Sequence, residues 1–273
     1  MALLLPAGPA EAASPSAVAA TPVQPYVVAV VPGHGGEDPG AVFPQDSSNP
    51  QVEEKNLTLP IALKLRDRLL AEDVHVVMTR TGDTTTTAQQ RAGIAERAHA
   101  NIFVAVHINS FYSDPTVRGA EAQYFSDPHL ADSVGDGLVL ALHPFEEPVR
   151  TSKDRERDNI LSMPGVIIEA GYLSNEQDRQ LLQRDDYQSA IAQGIYDGVL
   201  KYAPEIEQLK PAIEAQKVAE AAARQKAKAA RFPVVPAAIA GVVVLGAAYV
   251  RARRRARRRT SRAYSPTARY RYR

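Results

Sequence analysis

The chain contains no cysteine. Disulfide staples and thiolate metal sites are therefore excluded, and any metal must be held by His, Asp or Glu. No internal repeat of useful length is visible, which excludes solenoids and propellers. Basic residues are absent from the start of the chain, and no Leu-Pro-x-Thr-Gly sorting motif precedes the apolar stretch near its end. Histidine is scarce, at six, against 31 acidic residues, so a ligand set assembled from spacing alone is weak evidence.

The net charge of +1 hides a split. Residues 251–273 carry 11 Arg and no acid, which leaves 21 basic against 31 acidic residues in the first 250. Just before that tail, residues 232–250 (FPVVPAAIAGVVVLGAAYV) run for 19 positions without a charge. A helix of that length rises roughly 28 Å, close to a bilayer core. Arg251 to Arg259 would hold its near end in the cytoplasm and place the preceding residues outside. The expectation is a single-pass membrane protein with an extracytoplasmic body. The competing reading is a buried apolar helix followed by a nucleic-acid-binding arm. It is disfavoured because the basic residues abut an apolar span. At the other end, the first 13 residues resemble the back half of a secretory signal, with an A-x-A-like site at Ala10-Glu11-Ala12.

The body alternates strands and helices. Val28-Ala29-Val30-Val31 stops at Pro32-Gly33-His34-Gly35-Gly36, a buried-strand run punctuated by a Gly/Pro turn. Residues 53–71 read as a helix on the spacing of Leu57, Ile61, Leu65 and Leu69. Strands follow at 74–79, 102–106, 120–125 and 166–168. Helices are expected at 87–100, with Thr87 a plausible N-cap, at 128–143, and once or twice within 176–202. This alternation predicts an α/β fold: a mostly parallel twisted sheet with helices on both faces, plus the C-terminal transmembrane helix. The expected organisation is an export-signal remnant and linker at 1–25, a catalytic domain at 26–202, a charged helical stalk at 203–231, the span at 232–250 and an Arg-rich tail at 251–273.

Three strands end in a candidate ligand or base: His34, His107 and Glu169. Glu54 opens the first helix. In open α/β sheets, strand C-termini and helix starts gather at one edge. Two imidazoles and a carboxylate are a common zinc set, and a further carboxylate can move the proton.

Several motifs, in order, resemble the zinc-dependent N-acetylmuramoyl-L-alanine amidases of the type 3 amidase family. They are residues 30–41 (VVPGHGGEDPGA), Glu54-Lys55-Asn56-Leu57, residues 77–83 with Arg91 and Ala92, residues 103–110 (FVAVHINS), and residues 167–175 (IIEAGYLSN). The resemblance covers about residues 26–202. It implies one Zn2+ held by His34, Glu54 and His107, and Glu169 as general base and acid. The implied substrate is peptidoglycan, cut at the amide between muramic acid and the first L-Ala of the stem peptide. The implied partners are peptidoglycan, the membrane through the one C-terminal span, and an unidentified protein activator, with no nucleic acid. Asn109 is a candidate substrate contact.

The chain departs from the pattern in places. The position before Pro32, usually Asp in this family, is Val31. An Asp there would orient a metal ligand, so its replacement bears on metal affinity and keeps open a catalytically weak or inactive relative that binds peptidoglycan or partner proteins. Another zinc amidohydrolase on the same scaffold is a third reading. Glu53 stands beside Glu54, and alignment on Lys55 favours Glu54. Arg80, Asp83 and Arg91 read as structural. The charged loop 144–162 reads as solvated, with substrate contact or gating as its sharper role.

Overall fold

The computed structural model describes residues 22–125, 127–153 and 161–231. The chain divides into two units, Met1–Gln216 and Lys217–Arg273.

The first unit is built on a six-stranded sheet. β1 (Val27–Pro32) lies between β4 (His75–Met78) and β5 (Ile102–Asn109), and β5 continues to β8 (Gly165–Tyr172), all parallel. Beyond β8 come β6 (Ala120–Tyr124), antiparallel to it, and β7 (Val149–Lys153), parallel to β6. The sheet is thus mostly parallel, with a single antiparallel junction at β6–β8. A separate two-stranded ribbon pairs β2 (Val42–Phe43) with β3 (Val52–Glu53).

Alternating strand residues sort the core into two layers. Val28, Val30, Val104, Val106, Val166 and Ile168 face one side, where α1 (Glu54–Leu70), α3 (Pro128–Leu142) and α5 (Asp185–Tyr202) cover them. Ala29, Val31, Phe103, Ala105 and Ile167 face the other side, which has far less helical cover and meets Ala95 of α2 (Ala88–Arg97). The smaller layer is the one on which an open site can form. Helices therefore lie on both faces. α2 starts as its sequence predicts: the Thr87 side chain accepts from Gln90 N and the Gln90 side chain accepts from Thr87 N, a reciprocal cap.

α3 and α5 pack at backbone distance. Gly194 and Gly198 of α5 face Leu138 and Val134 of α3, where a Cβ on Gly198 would lie 2.3 Å from Val134 Cα. α4 (Glu176–Leu182) and α6 (Glu205–Arg231) complete the described elements. Within the first unit, Ile206 of α6 is buried and Lys210 pairs with Glu72. In the second unit, residues 217–231 continue that helix with every residue exposed.

The C-terminal part of the expected fold is corrected. No helix among the described residues is long and apolar enough to cross a membrane. The expected transmembrane helix, the membrane as a partner and the single-pass location drawn from it are therefore not supported. Residues 232–250, on which that expectation fell, lie outside the described residues. α6 cannot take the role, because Glu, Lys and Arg recur along its whole length and each is costly in hydrocarbon.

Gly198→Ala tests the α3–α5 contact. Alanine would gain about 1 kcal/mol of helix propensity over glycine, yet the overpacking should leave a net loss of about 1–3 kcal/mol. A lower denaturation midpoint is the expected result.

Candidate metal centre and its surroundings

The turn after β1 carries His34 in a left-handed conformation, φ 57°, which a non-glycine residue adopts only when its surroundings enforce it. Arg80 supplies much of that enforcement. Its guanidinium donates to Pro32 O, Gly33 O, Gly82 O, Lys55 O and Thr58 Oγ1 at 2.8–3.3 Å. Asp83 accepts from Gly36 N at 2.6 Å and from Lys55 Nζ at 3.2 Å. Both residues are structural, as expected, though they brace the turn through its backbone and do not pair with each other as neighbouring ions. Gly40, at φ +69°, passes so close that a Cβ would lie 2.5 Å from Glu54 Oε2.

His34, Glu54 and His107 come together. One ligand atom from each lies within 4.8 Å of the others. Glu54 is the first residue of α1 and 3% exposed. Its Oε1 accepts from Ile108 N and contacts His107 Nδ1, both at 2.9 Å. Its Oε2 accepts from Ala41 N at 2.9 Å and faces His34 Nε2 at 3.2 Å. The imidazoles meet edge to face, 4.9 Å between centroids. Glu53 points elsewhere: its carboxylate accepts from Asn56 Nδ2.

The protonation pattern follows from these contacts. Burial alone would raise the Glu54 carboxyl, but the hydrogen bonds and charge of His107 and His34 hold it far below the ordinary carboxylate range. Burial pushes the His107 imidazole down, against the pull of Glu54. Burial would also lower His34, but Glu54 and Asp38 together hold it above its ordinary value.

Asp38 is a residue the sequence reading passed over. Its Oδ2 lies 2.8 Å from His34 Nδ1, so it fixes the ring and leaves Nε2 turned toward Glu54. Its place four residues after His34, in the same Gly-rich turn, was the available signal. Val31 is 1% exposed in the smaller core layer. The carboxylate that the sequence lacks at Val31 thus has a counterpart at Asp38, reached through the turn.

Glu169 stands apart from the three clustered groups. It lies on β8, paired in register with His107 on β5 and with Glu121 on β6. Paired residues of adjacent strands project to the same face, so Glu169 shares the face of His107. Asn109 ends β5, where its side chain accepts from Ser110 N.

With that geometry established, comparison with known proteins is decisive. The sequence profile described as N-acetylmuramoyl-L-alanine amidase matches residues 28–201. The chain belongs to the N-acetylmuramoyl-L-alanine amidase family. A germination-specific N-acetylmuramoyl-L-alanine amidase of Bacillus subtilis is 28% identical over 199 residues, covering 66% of this chain and 81% of the relative. The solved N-acetylmuramoyl-L-alanine amidase AmiC2 of Nostoc punctiforme is 32% identical, with TM-score 0.60, over 66% of this chain and 97% of that one. The CwlD amidase of Clostridioides difficile, solved with the GerS lipoprotein, is 29% identical with TM-score 0.54, over 66% and 98%. Membership and these relatives support amidase activity on peptidoglycan, a cell-wall hydrolase.

Within the amidase domain, a second buried polar cluster braces the strand that carries Glu169. Asp178 Oδ2 accepts from Tyr172 N at 2.8 Å and Gly119 N at 2.9 Å, tying β8 to the start of β6. Arg118 donates to Glu147 Oε2 at 2.6 Å. The region 144–162, read as a solvated loop, therefore contains a buried Glu147 and the strand β7. Burial raises the Glu147 carboxyl to about 7, with the Asp178 charge adding to it and Arg118 opposing. A folded chain that keeps a proton the unfolded chain releases near 4.5 loses stability as pH rises through that interval. Stability should therefore decline between about pH 4.5 and 7 through this group. Glu147→Gln should flatten that decline in chemical denaturation measured across the range.

Proposed function

We propose that this chain hydrolyses the amide between the lactyl group of N-acetylmuramic acid and the L-alanine of the stem peptide, with one zinc ion held by His34, Glu54 and His107. The observation that carries the reading is the His34–Glu54–His107 cluster, whose His107 pairs in register with Glu169. The donor set fits the ion. Two imidazoles and a carboxylate are a typical catalytic zinc set, which leaves a position open for substrate or water. Glu54 and His107 are held toward the deprotonated forms that a metal requires, whereas a metal would displace the proton that Glu54 and Asp38 favour on His34.

Zinc in such a site supplies Lewis acidity at the scissile carbonyl and acidifies water. The remaining work belongs to the side chains. Glu169 takes the proton from the attacking water and returns it to the departing alanine nitrogen. Asp38 holds the His34 ring in the orientation that turns Nε2 inward, and Arg80 keeps the turn in place. CwlD was solved with a lipoprotein, and a protein activator is by analogy part of this proposal.

The full-length protein loaded with zinc should release peptides with L-Ala at the new N-terminus from purified peptidoglycan, and a chelator should stop the release. Glu169→Gln should lower the rate by about 10²–10⁴-fold while one zinc per chain is retained. Absence of release from folded, zinc-loaded protein would replace this reading with a non-catalytic wall binder. Asp38→Asn should weaken zinc binding by about 10–100-fold, read by competition with a chelating dye.

A further inference from the structure

One buried acid that the proposed reaction leaves unused is Glu147. Its side chain and that of Asp178 are both fully out of water, and Arg118 pairs with both. Arg118 Nη2 meets Glu147 Oε2 at 2.6 Å, while Arg118 Nε stands 3.5 Å from Asp178 Oδ1. Three buried atoms of this one cluster then fall short of a hydrogen bond: Arg118 Nε, Glu147 Oε1 and Asp178 Oδ1. The two carboxyl groups are nonetheless within hydrogen-bonding reach of each other. Two acceptors that face one another without a donor are an unmade bond, and a proton on one of them makes it. The same proton settles the charge. One guanidinium with two carboxylates leaves a net negative charge in a site without water, which is costly. One proton brings the cluster to zero.

The cluster sits where the two strands that frame Glu169 are anchored. Asp178 Oδ2 accepts from Tyr172 N, three residues past Glu169 on β8, and from Gly119 N, two residues before Glu121 on β6. Glu121 and Glu169 are register partners between those anchors. Gly119 has φ +109°, and a Cβ there would lie 2.5 Å from Pro148 O, so the residue after Glu147 is packed hard against the same strand end. Ala120 N also donates to Pro148 O, at 2.8 Å. A displacement of Glu147 is thus passed to the anchored ends of both strands. The charged and titratable groups that face Glu147 are Arg118 from the segment before β6, Asp178 from α4, and Tyr187 from α5, whose phenol burial pushes up. From its own segment, Glu146 presents its carbonyl to Arg118, and Arg150 of β7 donates to Arg118 O and Tyr172 Oη.

We propose that Glu147 and Asp178 share one proton, carried between Glu147 Oε1 and Asp178 Oδ1, and that the protonated pair is a positioning device that holds the ends of β6 and β8 around Glu169. Release of the proton to water leaves two carboxylates on one guanidinium, drives them apart and loosens both backbone bonds of Asp178. Glu169 then loses its fixed place beside His107, and turnover falls. That last step rests on the amidase reading. The raised Glu147 carboxyl agrees with a retained proton, which belongs to the pair and not to either residue alone.

Amide hydrogen exchange of the full-length protein tests the shared proton without any substrate. Corrected for the intrinsic exchange rate, protection of the Tyr172 and Gly119 amides should fall between about pH 4.5 and 7 and then level, by up to about tenfold per pH unit. The sign follows because the closed form keeps a proton that the opened form releases. The amide of Val104, in the middle of the sheet, should not follow them. Glu147→Gln puts a fixed N–H donor opposite Asp178 Oδ1 and should make the protection flat over the same interval. With zinc-loaded protein and a muramoyl peptide, kcat of that variant relative to the unaltered chain should rise with pH across the interval while KM stays the same. Flat protection in the unaltered protein, or a decline that survives Glu147→Gln, would overturn the proposal. If Glu147→Gln does not fold, an NMR titration of isotope-labelled glutamate carboxyls in the unaltered protein replaces it. One glutamate that ionises in step with the loss of Tyr172 protection supports the shared proton. Absence of any glutamate that stays protonated beyond the ordinary carboxylate range overturns it. A failure to hydrolyse the muramoyl peptide would remove the amidase reading, and the exchange data would still decide the pair.

Discussion

Glu54 is a carboxylate held almost out of water between two imidazoles, at the first turn of a helix. Each of its oxygens accepts one backbone N–H and faces one imidazole. The helix end contributes a partial positive charge in the same place. Three separate pieces of chain converge on this one group at the start of α1: the turn after β1, the strand β5 and the segment around Ala41. A single isolated buried carboxylate would be expelled or protonated. This one stays ionised because two backbone N–H groups donate to it and two imidazole edges face it. The left-handed His34, the close passage of Gly40 and the five hydrogen bonds of Arg80 are the structural consequences of bringing those donors to one point.

Much of this was legible in the sequence because buried parallel strands announce themselves. The runs leading to His34, His107 and Glu169 are apolar and rich in β-branched residues, as buried parallel strands are. The N-cap at Thr87 was legible for a similar reason, since its signal is local. What escaped reading was whatever depends on long-range pairing. Val149-Arg150-Thr151-Ser152-Lys153 is an edge strand with mostly exposed side chains. Its identity comes from backbone pairing to β6, which leaves no hydrophobic pattern. β2 and β3 are two residues each, below the length at which any period shows. Arg91, read as structural, is buried and bonded to Thr86, and its spacing from Arg80 carries no information about its place in a cavity wall.

The substitution at Val31 connects these points. Read in sequence, it removes a carboxylate that would orient a ligand. In the folded chain Asp38 reaches His34 directly, and Val31 joins an apolar layer that opens beside the imidazoles. One position thus separates two properties, the support of the metal ligands and the polarity of the neighbouring cavity. The C-terminal apolar stretch gives the opposite lesson. Hydropathy over 19 residues suggested a span; residues 232–250 lie outside the described residues, among which no helix is long and apolar enough to cross a membrane.

The central claim is that Glu54 and its two imidazoles form one zinc site. X-ray absorption at the zinc edge of the stoichiometrically loaded, full-length protein tests it most directly. The account predicts a four-coordinate shell with two imidazole nitrogens and a carboxylate oxygen at about 2.0–2.2 Å, and one exchangeable light-atom ligand. A six-coordinate, all-oxygen shell without imidazole scattering would contradict it.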